Sequence, residues 1–320
     1  MQRTYDYKLL IIYGPTATGK TALAIDLAKK YDGELISADS RQVYRGLDIG
    51  SGKVSFSSKV EKHRGYWIVN GVKIHGFDLV NPGEQFSVAD FLKLTHTTMI
   101  QIIGVNKLPI VVGGTGFYIK ALIDGISSIG IPQDPALRRQ LEGLSVDQLY
   151  QKLLEIDPSR AKSMNESDRA NPRRLIRAIE IATYNKKPET RNQKLTTELP
   201  NYQTTNCLLL GLTAPNSYLY SRCDKWLEER LNHEMIDEVK NLLNQNIDPK
   251  WFDNLGLEYR WLSRYLLGKI SREEAIDRLK GDIHSFIRRQ KTWFRQFKSL
   301  NLSDISKPDW RQELEKKLKL

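Results

Sequence analysis

The chain has 320 residues, 40% of them hydrophobic, and carries 49 Lys and Arg against 38 Asp and Glu, a formal charge of +11. This length supports one sizeable α/β core with a smaller second unit, while two cysteines, Cys207 and Cys223, with no CxxC pair and no histidine at ligand spacing, argue against a disulfide framework and a zinc site. With no secretory apolar segment and no run near the ~20 apolar residues of a membrane span, a cytoplasmic protein is expected, and the positive balance suits a polyanionic partner as well as it suits plain solubility.

Lys8 to Tyr13 is a short apolar run that ends in a glycine turn, and Thr21 to Lys30 repeats apolar residues at helical spacing, so the chain opens strand, loop, helix. Glu34 to Ala38 is a second strand candidate. Tyr66 to His75 sets Asn70-Gly71 between two alternating runs, the pattern of a two-residue hairpin. A helix is expected over Val88 to Ile103, a strand over Leu108 to Val112 and a helix over Thr115 to Ile123. Strands alternating with helices give the α/β class with a parallel, doubly wound sheet.

From about Pro132 the pattern changes. Asp134-Pro135, Asp157-Pro158 and Asn171-Pro172 each place proline at a first helical position behind a capping residue, and no strand is expected until about Thr205. Residues 125–200 therefore read as a helical insertion. Asn206 to Leu212 is a return strand, and the chain is helical from Asn216 to about Lys298. The core would thus comprise residues 1–124 and 201–300, with 301–320 a polar, lysine-rich tail prone to fray. In a helix from Asp282 to Leu300, Ile283, Phe286, Ile287, Trp293, Phe294 and Phe297 share one face, while Arg288, Lys291, Arg295 and Lys298 form a separate cationic stripe that fits a phosphate backbone or a solvated face. Arg169, Arg173, Arg174 and Arg177 form a second basic cluster.

Gly14-Pro15-Thr16-Ala17-Thr18-Gly19-Lys20-Thr21 matches GxxxxGK[ST] between a strand and a helix. Glycines let backbone N–H groups curl around phosphate oxygens, Lys20 adds a mobile charge, and the Thr21 hydroxyl can ligate Mg²⁺. Such a loop announces a di- or triphosphate, and a small-molecule kinase is the natural reading. Two features oppose it. The strand Leu108 to Val112 runs into Gly113-Gly114-Thr115-Gly116 without a Walker B aspartate, and the acid stands instead at Asp39, after the second strand. Asp39 suits a base that takes a proton from a nucleophile, and by position alone it suits a helix cap or an outer Mg²⁺ ligand equally well.

Asp39-Ser-Arg-Gln-Val-Tyr-Arg-Gly-Leu-Asp-Ile-Gly50, following this loop, resembles the tRNA dimethylallyltransferases (tRNA isopentenyltransferases). Leu108-Pro-Ile-Val-Val-Gly-Gly-Thr-Gly-Phe-Tyr118, Asn171-Pro-Arg-Arg-Leu-Ile-Arg-Ala-Ile-Glu180, Leu266-Leu-Gly-Lys-Ile-Ser-Arg-Glu-Glu-Ala-Ile276 and Arg289-Gln-Lys-Thr-Trp-Phe-Arg295 are similar to further blocks of that family, in family order across nearly the whole chain. His75-Gly-Phe-Asp78 stands where the family commonly has His-His-Leu-Ile-Asp, with an added hairpin before it, and Gly256-Leu-Glu-Tyr-Arg260 stands where Gly-Tyr-Arg is usual.

The resemblance implies a P-loop NTPase-like core with a helical insertion and C-terminal helices. It implies transfer of the dimethylallyl group of dimethylallyl diphosphate to the N6 amine of the adenosine 3′ to the anticodon, with diphosphate released. On this basis residues 14–21 and Arg222 hold the diphosphate, Mg²⁺ sits at Thr21, and Asp39 orients the amine and takes its proton. Contacts to the tRNA anticodon arm fall to Asp39, Ser40, Arg41, Gln42, Thr115, Arg138, Arg173, Arg174, Arg177, Arg288, Lys291 and Arg295. A bacterial-type enzyme acting as a monomer is expected. The alternatives are a prenyltransferase of free adenine nucleotide, which would not need the basic helical surface, and the kinase.

Overall fold

Leu9 to Tyr13, five consecutive residues buried along their whole length, form β1 in the interior of a sheet. A strand covered on both faces has no solvent side and so shows no alternation. The computed structural model describes residues 9–126, 128–186, 207–232, 234–297 and 302–318. After β1 come α1 (Lys20–Tyr31), β2 (Gly33–Ser37), β3 (Val60–His63), β4 (Gly65–Val69), β5 (Val72–Phe77), α2 (Val88–Gly104), β6 (Leu108–Gly113) and α3 (Gly116–Asp124). Residues 126–199 make a separate compact unit with α4 (Pro135–Leu141), α5 (Val146–Ile156), α6 (Pro158–Ser163), α7 (Glu166–Arg169) and α8 (Pro172–Lys186). The first unit then resumes with β7 (Cys207–Thr213), α9 (Asn216–Leu231), α10 (Met235–Leu243), α11 (Pro249–Leu255), α12 (Leu257–Leu266), α13 (Arg272–Phe294), β8 (Leu302–Asp304) and α14 (Trp310–Lys317).

The eight strands lie in the order β3-β4-β5-β2-β6-β1-β7-β8. From β5 to β8 all neighbours are parallel, with Leu10 opposite Ile110 on one side of β1 and Leu208 on the other. The hairpin adds antiparallel strands at one edge, and its turn residues Asn70 and Gly71 both have positive φ, 51° and 82°, as a type I′ turn demands. The edge strand β3 was not apparent from sequence, because Val60-Glu61-Lys62-His63 has one apolar residue, and an edge facing water requires no more.

Each of the three Asp-Pro or Asn-Pro steps of the inserted unit starts a helix. Asp134 Oδ1 accepts from the N–H groups of Ala136 and Leu137, Asp157 Oδ1 from Arg160, and Asn171 Oδ1 from Arg173 and Arg174. The inserted unit has its own core of Leu141, Leu149, Leu153, Leu175 and Ile179, all fully buried or nearly so. Two expectations are corrected in the first unit. Residues 302–318 are not a frayed tail: β8 pairs with β7, and Ile305, Leu314 and Leu318 are buried against the core, three apolar positions that suffice despite the surrounding lysines. The helix expected from Asp282 to Leu300 is α13, which begins ten residues earlier behind the Ser271 cap and ends at Phe294. No helix among the described residues is long and apolar enough to cross a membrane.

The loop from residue 38 to residue 59 is long and carries Asp39, so its anchoring positions the site. Two charged side chains, the buried Lys53 and the partly buried Glu238, hold it. Lys53 Nζ donates to Tyr44 O (2.8 Å), Asp48 Oδ1 (2.7 Å) and Asp78 Oδ1 (2.6 Å), with the side chain entirely shielded from water. The Glu238 carboxylate accepts from the backbone N–H groups of Asp48, Ile49 and Gly50 and from the Tyr259 hydroxyl. Removing one member of such a set strands the others. Lys53→Met should therefore lower stability by about 3–5 kcal/mol in denaturant unfolding, and an unchanged transition midpoint would show that Asp48 and Asp78 do not depend on it.

Candidate active site

The chain leaves β1 at Tyr13 and turns through residues 14–19 into α1. A side chain at Gly14 would meet the Leu212 carbonyl oxygen at 2.5 Å, so only glycine lets the loop lie against β7. Gly19 takes a left-handed conformation, φ 78°, and no side chain caps the first turn of α1. The N–H groups of that turn remain available to an anion, where the helix dipole favours one. The Lys20 side chain folds back over the loop. Its Nζ donates to Pro15 O at 2.8 Å, and the buried Thr18 hydroxyl donates to the same oxygen at 2.8 Å. Burial pushes the Lys20 ammonium down to about 8, against the opposing pull of the Asp39 charge nearby. From α9, Arg222 Nε donates to Ala17 O at 2.8 Å, across 205 residues of sequence.

Asp39 follows β2 and is fixed by its own backbone, Oδ1 accepting from Arg41 N at 2.9 Å. The Ser40 N–H donates to Thr115 Oγ1 at 3.1 Å, which ties the Asp39 loop to the loop after β6. These two loops touch closely. A Cβ on Gly113 would lie 2.2 Å from Ala38 O, and on the other side one on Gly116 would lie 1.9 Å from Cδ1 of Trp293 in α13. Lys20, Thr21, Asp39, Gly114 and Arg222 all line one cavity of about 590 Å³, whose walls include the apolar Ile25, Ile74, Phe77, Trp226 and Phe286. The size suits a small ligand with a charged end and an apolar end. Among the described residues no group of three or more His, Cys, Asp or Glu could hold a metal.

The cavity's neighbours include residues that sequence reasoning missed. Gln290 is buried on the same stripe of α13 as Ile283, Ile287 and Phe294. A polar residue at an apolar helical position was the available signal. Gln290 Oε1 accepts from Thr16 N at 2.9 Å, and its Nε2 donates to Gly114 O at 2.9 Å. Cys223 is buried and lines the cavity as well, and burial pushes its thiol up to about 12, so it is a packed, protonated group.

Other expected contact residues prove to be engaged inside the protein. Arg41 pairs with the buried Glu258 at 2.5 Å, and Gln42 accepts from the Ser37 hydroxyl at 2.7 Å while its Nε2 donates to the carbonyls of Ser51 and Gly52. Lys291 does not stand free in a cationic stripe: Nζ donates to Ala214 O and Asn216 Oδ1, both at 2.8 Å, because its stem reaches the junction of β7 and α9. Arg288 is exposed and bonds the Tyr220 hydroxyl, Arg295 is exposed at the end of α13, and Lys298 lies outside the described residues. In the inserted unit Arg138 grips the buried Glu180 through two hydrogen bonds, and Arg177 bonds Glu180 and the carbonyls of Ser128 and Ile131. Arg174 pairs with Asp168, and Arg169 donates to Met164 O. Arg173 is exposed on α8. Much of the basic cluster thus builds the unit itself.

Residues 42–297 match the family model described as IPP transferase. Over 288 residues the chain is 38% identical to tRNA dimethylallyltransferase 1 of Geotalea daltonii, which covers 90% of this chain and 86% of the relative. Over 315 residues it is 37% identical to the tRNA dimethylallyltransferase of Acetivibrio thermocellus, 97% of this chain and 96% of the relative. The solved tRNA isopentenylpyrophosphate transferase of Bacillus halodurans superposes with a TM-score of 0.67 at 34% identity, over 97% of this chain and 93% of that one. A eukaryotic dimethylallyltransferase acting on tRNA shares the fold, with a TM-score of 0.76 at 24% identity over 97% of this chain and 77% of that one. A family match over most of the chain and relatives this similar over nearly its whole length show that the chain belongs to the IPP transferase family.

Proposed function

We propose that this protein is a tRNA dimethylallyltransferase, a cytoplasmic monomer that moves the dimethylallyl group of dimethylallyl diphosphate to the N6 amine of the adenosine 3′ to the anticodon. The observation that carries the reading is that the phosphate loop, Arg222 and Asp39 line one cavity while β6 offers no acid. In the reaction a bond forms between N6 and C1 of the allyl group, the C1–O bond breaks, and diphosphate departs with the electron pair. The negative charge that develops on the leaving oxygens meets Lys20, Arg222 and the open N–H groups of α1. Asp39, held by the Arg41 N–H, orients the amine and takes the proton that N6 must lose.

Mg²⁺ fits this site. Magnesium takes one or two protein oxygens and completes its shell with phosphate oxygens and water, and Thr21, which lines the cavity, carries a hydroxyl of the kind that would serve. When bound, the ion adds positive charge beside the diphosphate. For tRNA, an adenine in a single-stranded loop leaves its stack at low cost. The exposed Arg173, Arg288 and Arg295 together with the charge of +11 support contact with the phosphates of the anticodon arm. A parallel incubation of the protein with labelled dimethylallyl diphosphate and tRNA, AMP or ATP tests the proposal: prenylated tRNA is expected, whereas prenylated nucleotide alone, or ATP consumed without prenyl transfer, would replace it.

Asp39→Asn should still bind tRNA and dimethylallyl diphosphate but lose about 10²–10⁴ in kcat; near-normal turnover would remove the base assignment. The Lys20 ammonium is positive below its lowered value of about 8 and neutral above it. Calorimetric affinity for dimethylallyl diphosphate should accordingly weaken as pH rises through that value, and Lys20→Arg should flatten the profile. Replacing Arg288 and Arg295 by alanine should reduce the salt dependence of tRNA binding, by about one unit of slope per lost phosphate contact. An unchanged slope would place the tRNA elsewhere.

A further inference from the structure

One peptide unit of the phosphate loop is held from both ends. The bond between Pro15 and Thr16 presents its carbonyl to Lys20 Nζ and to the Thr18 hydroxyl, each at 2.8 Å, and its N–H to Gln290 Oε1 at 2.9 Å. The Thr16 hydroxyl also reaches Gln290 Oε1, at 3.3 Å. Because a peptide is planar and stiff, the direction of its N–H sets the direction of its C=O. Whatever fixes Thr16 N therefore aims the oxygen on which Lys20 rests. Gln290 is itself well fixed. Only 6% of its surface is exposed, it projects from α13 among Ile283, Ile287 and Phe294, and its amide nitrogen donates to Gly114 O at 2.9 Å. The fit is close, since a Cβ on Gly114 would come within 2.8 Å of that nitrogen. Gly114 precedes Thr115, whose hydroxyl accepts from the N–H next to Asp39.

We propose that Gln290 is a positioning residue that acts through Lys20: its side-chain amide bridges the phosphate loop and the loop after β6, orients the Pro15–Thr16 peptide, and so sets where the Lys20 ammonium stands relative to Asp39. A corollary is that the Thr16 N–H is committed to Gln290, so the anion-binding N–H groups of the loop begin after Thr16. This assignment rests on the reading of the cavity as a dimethylallyl diphosphate site.

The test is a thermodynamic cycle on the full-length protein, read as the calorimetric Kd for dimethylallyl diphosphate. Gln290→Met keeps the length of the side chain and removes both amide bonds. In the wild-type background it should weaken binding by roughly tenfold to a hundredfold, the range expected when the misplaced Lys20 ammonium loses its hydrogen bond to the diphosphate. In the Lys20→Met background the same change should cost less than about twofold, because a residue that acts through Lys20 has nothing left to position. Gln290→Asn, which retains an amide too short to span both loops, is the second variant should Gln290→Met fail to fold, and it should show the same dependence on Lys20. Equal losses in both backgrounds, or no loss in either, would overturn the assignment. A wild-type protein that does not bind dimethylallyl diphosphate at all would instead sink the proposed function, so the two failures are distinct.

Discussion

A lysine ammonium withdrawn from water needs oxygen atoms around it, and Lys20 finds the Pro15 carbonyl at 2.8 Å and the negative charge of Asp39 nearby. That requirement links elements far apart in the chain. The carbonyl belongs to the loop after β1, the acid to the loop after β2, the amide that steadies the loop to α13, and the arginine across it to α9. All four lie at the carboxyl ends of parallel strands or on helices that cover them, which is where open α/β sheets place their ligands. An anion entering the cavity would join the Pro15 carbonyl as a partner of the ammonium, a charged acceptor beside a neutral one.

The parts of this arrangement that are written locally were legible in the sequence. Glycine spacing with Lys20 and Thr21 defines the turn from β1 into α1, Asn70-Gly71 defines a turn with two positive φ angles, and proline behind Asp or Asn defines three helix starts. What the sequence concealed depends on partners far along the chain. Lys291 and Arg177 look like surface cations at helical spacing, yet their hydrogen bonds run to carbonyls 77 and 46 residues away. The same holds for Arg41, whose partner Glu258 is 217 residues distant. Charge counted along a helix gives the number of cations on it, and only the fold decides which of them remain for a ligand. Gln290 illustrates the reverse case, a neutral residue in an apolar stripe that sits against the loop.

Glu180 shows how the inserted unit uses charge. Its carboxylate, almost wholly shielded, accepts from the Asp134 N–H, from two nitrogens of Arg138 and from Arg177. A buried carboxylate is tolerated when its oxygens are fully bonded, and this one clamps the entry to α4 onto α8. Burial raises the cost of its charge, but the arginines and the N–H prevail and hold the Glu180 carboxyl below the usual carboxylate range.

The pairing of β1 carries a consequence for how the molecule forms. On one side of β1 the partner is β6, about a hundred residues later; on the other it is β7, where Leu9 lies opposite Cys207. Contacts of such high sequence separation are slow to form, since the intervening chain must close as a loop before the strands can pair. The strands around β1, and with them the glycine-rich turn that leaves β1, would therefore form later than the local helices.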